Sequence, residues 1–176
     1  MGYSYPATYW QLSRHRADHD GTERIYSLLM GEFGQMPGGM FAADERLRPG
    51  KTGPRQGAET CSVVEFMYSN ESLLRITGEP KYADRCEDIA LNTYPATMTP
   101  DMKAIHYITA ANMPQCDAAN KPCFNNNHKT LSFSPGAEYH CCQHNHSQGW
   151  PYYAEHLWMA THGGGLAAVL YAPCSI

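Results

Sequence analysis

Apolar residues recur at the spacing of one helix face in four stretches, residues 19–33, 59–77, 81–94 and 147–162. The second stretch has the clearest pattern, because Val63, Phe66 and Leu74 share a broad apolar face. Gly78 and Pro80 follow it and are a common signal for the end of a helix. Only a short turn separates the second stretch from the third, so we predict that these two helices pack antiparallel as a hairpin.

Three shorter stretches predict strands, at residues 105–109, 131–134 and 166–171. Two long polar segments, 40–58 and 113–129, predict loops, and long loops in compact domains are often functional. The first eighteen residues show no clear period. The last predicted strand would have no partner, and an isolated strand is not stable in water. We therefore expect the natural protein to continue beyond Ile176.

Charge and composition exclude several classes of protein. The net charge is −4 and basic residues do not cluster, so the positive patch of a nucleic-acid-binding protein is absent. No apolar run approaches the roughly 18 residues that a membrane span needs, and residues 1–14 lack a signal-peptide pattern. Charged residues make up 17% of the chain, against about 25% in a typical soluble domain. This low fraction of charged residues indicates that part of the surface of this chain is covered by additional protein. If the natural N-terminus is missing, this sequence does not determine the cellular compartment.

The seven cysteines favour free thiols over disulfides. An odd number argues against a complete disulfide framework. Cys141 and Cys142 are adjacent, and adjacent cysteines rarely bond to each other because the geometry is strained. We therefore expect reduced thiols, some of which bind a metal.

The strongest candidate for a metal site combines Glu59 and Cys61 with Cys141 and Cys142, because three thiols and a carboxylate suit a tetrahedral zinc ion. Glu59 and Cys61 lie at a predicted helix start, where the helix dipole favours anionic ligands. We expect the cysteine pair in a turn-like segment that bends both side chains to the same side.

The spacing alone leaves other interpretations open. Cys61 is equally well explained as a core thiol, Glu59 as a helix cap and the cysteine pair as packing residues. Three nearby histidines offer an alternative ligand set, His140, His144 and His146.

Five runs carry a resemblance to a known family: PGGMFAADE at 37–45, ETC at 59–61, LLRITGEPKYADRCEDIALNTYPA at 73–96, CC at 141–142 and GWPYYAEHLWMAT at 149–161. In this order they resemble glycoside hydrolase family 127, the β-L-arabinofuranosidase family, and its relatives. The resemblance spans nearly the whole chain. Its most specific part is the combination of E-T-C with a later C-C.

The resemblance implies a mainly α fold that is part of a larger protein. The family has an (α/α)6 barrel followed by β-sandwich domains. Residues 1–165 would then be the C-terminal part of the catalytic barrel, and residues 166–176 the beginning of a β-domain. The remaining parts of the parent chain would be the partners of this fragment.

The resemblance also implies a set of site residues. Glu59, Cys61, Cys141 and Cys142 would bind Zn²⁺, and Cys141 would be the nucleophile. Glu45 is the best match to the family's catalytic acid/base.

Three further residues are expected to contact the sugar. Asp44 is the competitor of Glu45 for the acid/base role, and Tyr107 resembles a family tyrosine that touches the substrate. His144 follows the cysteine pair where the family often has proline, so a polar contact to the substrate is expected there.

The resemblance therefore predicts a retaining glycoside hydrolase that removes terminal sugars from an oligosaccharide or glycoconjugate. Retaining hydrolysis needs a nucleophile and an acid on opposite faces of the sugar. Two alternatives are a non-catalytic carbohydrate-binding helical barrel with a structural zinc site, and an inactive fragment.

Overall fold

The computed structural model describes residues 2–34, 36–44, 56–111, 119, 133–134 and 140–175. Within these ranges the helices are α1 (Tyr5–Ser13), α2 (Arg16–Phe33), α3 (Thr60–Thr77), α4 (Lys81–Asp88), α5 (His140–His146) and α6 (Gly149–Glu155). The strands are β1 (Gly57–Glu59), β2 (Ile105–His106), β3 (Ile108–Ala110), β4 (Phe133–Ser134), β5 (Trp158–Ala160) and β6 (Leu166–Ala168). The described chain is thus mainly helical, as predicted. No helix in these ranges is long and apolar enough to cross a membrane.

Helix α3 is the centre of the domain. It contacts α1, α4, α5 and α6, and its buried residues lie on most of its circumference. A helix that is apolar on several sides is stable only when other elements surround it. The helix ends at Gly78, which adopts φ +69° and donates its backbone N–H to the Leu74 carbonyl at 2.8 Å. The prediction for residues 59–77 is confirmed, with the helix beginning one residue later.

Helix α4 forms the predicted helical hairpin with α3. The Cys86 thiol lies 3.7 Å from the carbonyl of Met67 and 3.7 Å from the carboxylate of Glu71, so the two helices touch at mid-length. The predicted helix over 81–94 is confirmed as α4 and a following π-helical turn, Ile89–Thr93.

Helices α1 and α2 form a second hairpin against the first. Arg85 of α4 holds α2 through a bidentate ion pair with Glu23 at 2.8 and 2.9 Å, and it also donates to the Tyr3 hydroxyl. The helix predicted over 19–33 is confirmed and begins earlier. Helix α1 was not predicted, because its large side chains Tyr5 and Leu12 are exposed and give no apolar face.

The strands form three two-stranded antiparallel sheets. β1 pairs with β3, β2 with β4, and β5 with β6. The strand predicted over 105–109 is confirmed as β2 and β3, with Tyr107 between them. The strand predicted over 131–134 is confirmed at Phe133–Ser134. Most of the two predicted loops, 40–58 and 113–129, lies outside the described residues.

Three expectations are corrected by the C-terminal part of the chain. The helix predicted over 147–162 ends at Glu155, because the next residues pair with β6 as strand β5. Gly163 and Gly164, at φ +102° and +82°, make the tight turn between these strands. Strand β6 therefore has the partner that the sequence did not reveal. The cysteine pair lies in helix α5 rather than in a turn.

Gly149 is packed so closely that a methyl group has no room there. A Cβ at this position would lie 2.5 Å from Cζ of Tyr94, and the Tyr94 hydroxyl is held by a 2.6 Å hydrogen bond to the His146 carbonyl. We expect Gly149→Ala to lower the free energy of unfolding by about 2–3 kcal/mol, measured by urea denaturation.

Gly31 provides a matched control in an open position. It lies in α2, and a Cβ added there would meet no atom within 4 Å, so Gly31→Ala should raise the free energy of unfolding by about 0.5–1 kcal/mol. Equal stability of the Gly149→Ala variant and the unmodified protein would contradict the close packing at Tyr94.

Candidate metal and catalytic site

The junction of β1 and α3 positions the first two site residues. Glu59 is the last residue of β1, and its backbone N–H donates to the Ala43 carbonyl at 2.7 Å. The next residue, Thr60, begins α3. Its N–H donates to the Tyr107 carbonyl at 3.0 Å and its hydroxyl to the His106 carbonyl at 2.7 Å. These three bonds fix the direction in which Glu59 and Cys61 project.

Helix α5 supplies the other two residues. Neighbouring side chains on a helix diverge by about 100°. Cys142 accordingly points into the interior and is fully buried, whereas Cys141 is exposed. Cys61 on α3 is 8% exposed. Of these three cysteines, Cys141 is the most exposed.

The four ligand atoms form one compact cluster. One ligand atom from each of Glu59, Cys61, Cys141 and Cys142 lies within 4.8 Å of all the others. The Cys61 and Cys142 sulfurs are 3.2 Å apart without a disulfide, and Cys142 Sγ lies 3.5 Å from Glu59 Oε1. Zinc–sulfur bonds of about 2.3 Å in a tetrahedron place ligand atoms about 3.8 Å apart. The two separations of 3.2 and 3.5 Å lie slightly below that value and no pair exceeds 4.8 Å, so the cluster is suited to hold a metal ion.

The electrostatics of the three thiols also favour a cation. The Cys61 sulfur accepts hydrogen bonds from Cys142 and from Asn145, which lower the pKa of Cys61. The contact with Cys61, together with burial, raises the pKa of Cys142 well above its usual range. Partial desolvation and the charge on Cys61 raise the pKa of Cys141. One thiol thus loses its proton more readily than the other two. A positive ion among them would favour deprotonation of all three.

A cavity of about 240 Å³ opens beside this cluster. Its lining consists of Glu59, Cys61, Ser62, Glu65, Cys141 and Asn145. A larger cavity, of about 620 Å³, lies between the end of α3 and the β5–β6 hairpin, and none of the four clustered residues lines it. Of these two cavities, the smaller one is therefore the one that Cys141 lines.

The structure places two further predicted site residues. The Tyr107 side chain is buried, and its hydroxyl lies 3.9 Å from the Cys141 sulfur. Asp44 is 6% exposed and lies one residue beyond Ala43, whose carbonyl accepts the Glu59 N–H. Glu45, the predicted acid/base, lies outside the described residues.

The predicted histidines do not join the cluster. His144 and His140 are exposed on α5, and His146 is half-buried, with its ring stacked on Tyr94 at 4.9 Å. Among the described residues, the group suited to a metal contains no histidine. The alternative histidine ligand set is therefore not supported.

Three residues of the cavity wall were missed by sequence reasoning, Ser62, Glu65 and Asn145. Glu65 lies one helical turn after Cys61, so the helix prediction contained a signal for it. Asn145 lies three residues after Cys142 on α5. Residues three apart lie on the same side of a helix, so the closeness of Asn145 to the cysteine pair can be predicted only when the segment is known to be helical.

The described fold and site define a mainly helical domain with a thiol and carboxylate centre that opens into a cavity. A family model described as "Beta-L-arabinofuranosidase, GH127 catalytic domain" matches residues 5–155. The match covers most of the 176 residues, and the chain belongs to this glycoside hydrolase family. The resemblance found in the sequence is confirmed. No curated protein and no solved structure matches the chain.

Proposed function

We propose that this chain carries the catalytic centre of a retaining glycoside hydrolase, similar to a β-L-arabinofuranosidase, with Cys141 as the nucleophile. The observation that carries the proposal is the difference in exposure within the cluster. Cys141 is exposed at the cavity, whereas Cys61 and Cys142 are buried. An attacking sulfur must be accessible, and two buried sulfurs suit permanent ligands.

Glu59, Cys61, Cys141 and Cys142 would hold Zn²⁺. Three thiolates and a carboxylate are a donor set that favours zinc among the common divalent metals. Zinc bound there would keep the thiols deprotonated at neutral pH and would leave the Cys141 sulfur nucleophilic.

The proposed reaction has two steps. In the first, Cys141 Sγ forms a bond to the anomeric carbon while the bond from that carbon to the leaving oxygen breaks, giving a thioglycosyl intermediate on Cys141. A carboxylic acid gives its proton to the leaving oxygen. In the second step the same carboxylate takes a proton from water, whose oxygen displaces the sulfur. Two displacements on one carbon retain the configuration.

Glu45 is the proposed acid/base, with Asp44 as its neighbour and competitor. Tyr107 is proposed to orient the substrate and the nucleophile, because its hydroxyl lies 3.9 Å from Cys141 Sγ. His144, exposed on α5 and three residues beyond Cys141, is proposed as a polar contact to the sugar.

The domain organisation is also a proposal. Residues 1–165 would be the C-terminal part of an (α/α)6 barrel and residues 166–176 the beginning of a β-domain. The substrate would be a terminal sugar of an oligosaccharide or glycoconjugate.

The proposal is tested by incubating the zinc-loaded protein with p-nitrophenyl β-L-arabinofuranoside and, in parallel, with its α-anomer. We expect release of nitrophenol from the β-anomer, with the free sugar appearing first as the β-anomer by NMR. Initial release of the α-anomer would contradict a covalent intermediate. Tight zinc binding without hydrolysis of either glycoside would instead support a structural zinc site.

A further inference from the structure

A side-chain amide bridges the two helices that carry the thiol cluster. The Asn145 Nδ2 of α5 donates a hydrogen bond to the Cys61 sulfur of α3 at 3.2 Å. Asn145 is half-buried and also lines the cavity beside Cys141. This amide therefore touches a proposed metal ligand and the proposed substrate pocket at the same time.

The three sulfurs have different neighbours. Cys142 Sγ lies against Cys61 Sγ and Glu59 Oε1, and Cys141 Sγ lies 3.9 Å from the Tyr107 hydroxyl. Among the contacts of the described residues, the amide N–H is directed at Cys61. The cluster is consequently asymmetric in its hydrogen bonding as well as in its exposure.

A hydrogen bond to a metal-bound thiolate has two effects. It withdraws electron density from the sulfur, which makes that sulfur a weaker nucleophile, and it fixes the orientation of the ligand around the ion. Hydrogen bonds to sulfur ligands similarly tune the electronic properties of other metal centres. A centre that uses one thiolate for attack benefits when its other thiolates are made less reactive.

We propose that Asn145 is a positioning residue that assigns different roles to the sulfurs. Its amide holds Cys61 as a permanent ligand of low reactivity and leaves Cys141 as the reactive sulfur. This inference rests on the proposed function, because it requires a metal at the four-residue cluster. It adds a residue that acts through Cys61 and that the ligand set itself does not include.

Three variants separate the effect of the hydrogen bond from the effect of side-chain packing. Asn145→Leu keeps the branched shape of the side chain and removes the donor, and Asn145→Gln keeps an amide. Ser147→Ala is the matched control, because Ser147 is an exposed polar residue just after α5 whose hydroxyl donates to the His144 carbonyl, away from the cluster. Asn145→Ala, which adds no bulk, replaces the leucine variant if leucine prevents folding.

The readouts are the Co²⁺ affinity and the sulfur-to-cobalt charge-transfer absorption of the purified protein. Loss of the N–H···S bond raises the energy of the sulfur electrons, so the band of Asn145→Leu should move to lower energy. Its metal affinity should fall by about 10–100-fold. Asn145→Gln should restore part of the metal affinity and part of the original band energy. Ser147→Ala should have the same affinity and the same band as the unmodified protein. A purely structural role would lower affinity without moving the band.

Alkylation of the zinc-loaded protein by iodoacetamide, mapped by peptide mass spectrometry, provides a second readout. Cys141 should react first in the unmodified protein, and modification of Cys61 should increase several-fold relative to Cys141 in Asn145→Leu. An unchanged band energy and an unchanged alkylation ratio, with metal bound, would overturn the role of Asn145 and leave the proposed function intact. Absence of metal binding by the unmodified protein would overturn both.

Discussion

Replacing Cys141 with serine should lower kcat/KM for glycoside hydrolysis by about 10³-fold or more, even in the presence of saturating zinc. Removing the residue that forms the covalent bond eliminates the reaction path, whereas binding and acid catalysis leave only a small residual rate. A serine hydroxyl at neutral pH is a much weaker nucleophile than a thiolate. The steady-state rate on p-nitrophenyl β-L-arabinofuranoside measures the effect.

Cys174→Ser is the matched control for this experiment. Cys174 is also exposed, and its sulfur contacts the Trp158 indole rather than the cluster. The control variant should retain the activity of the unmodified protein. Activity of Cys141→Ser within tenfold of the unmodified protein, at saturating zinc, would exclude Cys141 as the nucleophile.

The largest expected loss of stability follows from a charged pair in the core. Glu71 of α3 is fully buried, and its Oε2 lies 3.3 Å from Nδ1 of His156, which follows α6. The same Nδ1 lies 2.7 Å from the Tyr152 carbonyl. Both neighbours are acceptors, so Nδ1 carries a proton. That proton is shared between the carbonyl and the carboxylate, and the longer contact is an ion pair rather than a straight hydrogen bond.

His156→Leu should lower the free energy of unfolding by about 3–5 kcal/mol, because it leaves the Glu71 carboxylate buried without a cation. The double variant Glu71→Gln with His156→Leu should recover a large part of this loss, since it removes the buried charge as well. Urea denaturation near neutral pH measures the free energy of unfolding of the single and the double variant. A loss below about 1 kcal/mol for His156→Leu would show that the pair contributes little.

The same pair makes stability depend on pH. The contact with the Glu71 carboxylate raises the pKa of His156 above its usual value, so the folded protein holds this proton more tightly than the unfolded chain. The contribution of this pair to the free energy of unfolding is therefore fully present below about pH 6.5, the usual pKa of histidine. It is lost as the pH rises through the raised value. The destabilisation caused by His156→Leu should accordingly be smaller at about pH 9 than at about pH 6.

Helical periodicity predicted the central hairpin of α3 and α4 because both helices bury an apolar face on neighbouring elements. The residue types of the four-residue cluster were also available, since three thiols and a carboxylate are an unusual set. Their meeting in space depends on α5 packing against α3, and the separation of 81 residues between Cys61 and Cys142 carries no information on that packing.

Besides helix α1, helix α5 and strand β5 were also missed, for identifiable reasons. Helix α5 has the sequence HCCQHNH, and such a polar segment shows no apolar face because only Cys142 is buried. Strand β5 was predicted as helix because Trp158 continues the helical spacing of α6, and a short apolar run fits either structure. Its pairing with β6 is a tertiary contact that local periodicity does not reveal.

The most direct test of a zinc-thiolate centre is the metal content of the purified protein, measured by inductively coupled plasma mass spectrometry beside Cys61→Ser and Cys174→Ser. The account predicts roughly one zinc per chain in the unmodified protein and in Cys174→Ser, and a marked loss in Cys61→Ser. No bound zinc after zinc is supplied, with all seven thiols reacting freely with a thiol reagent, would contradict it.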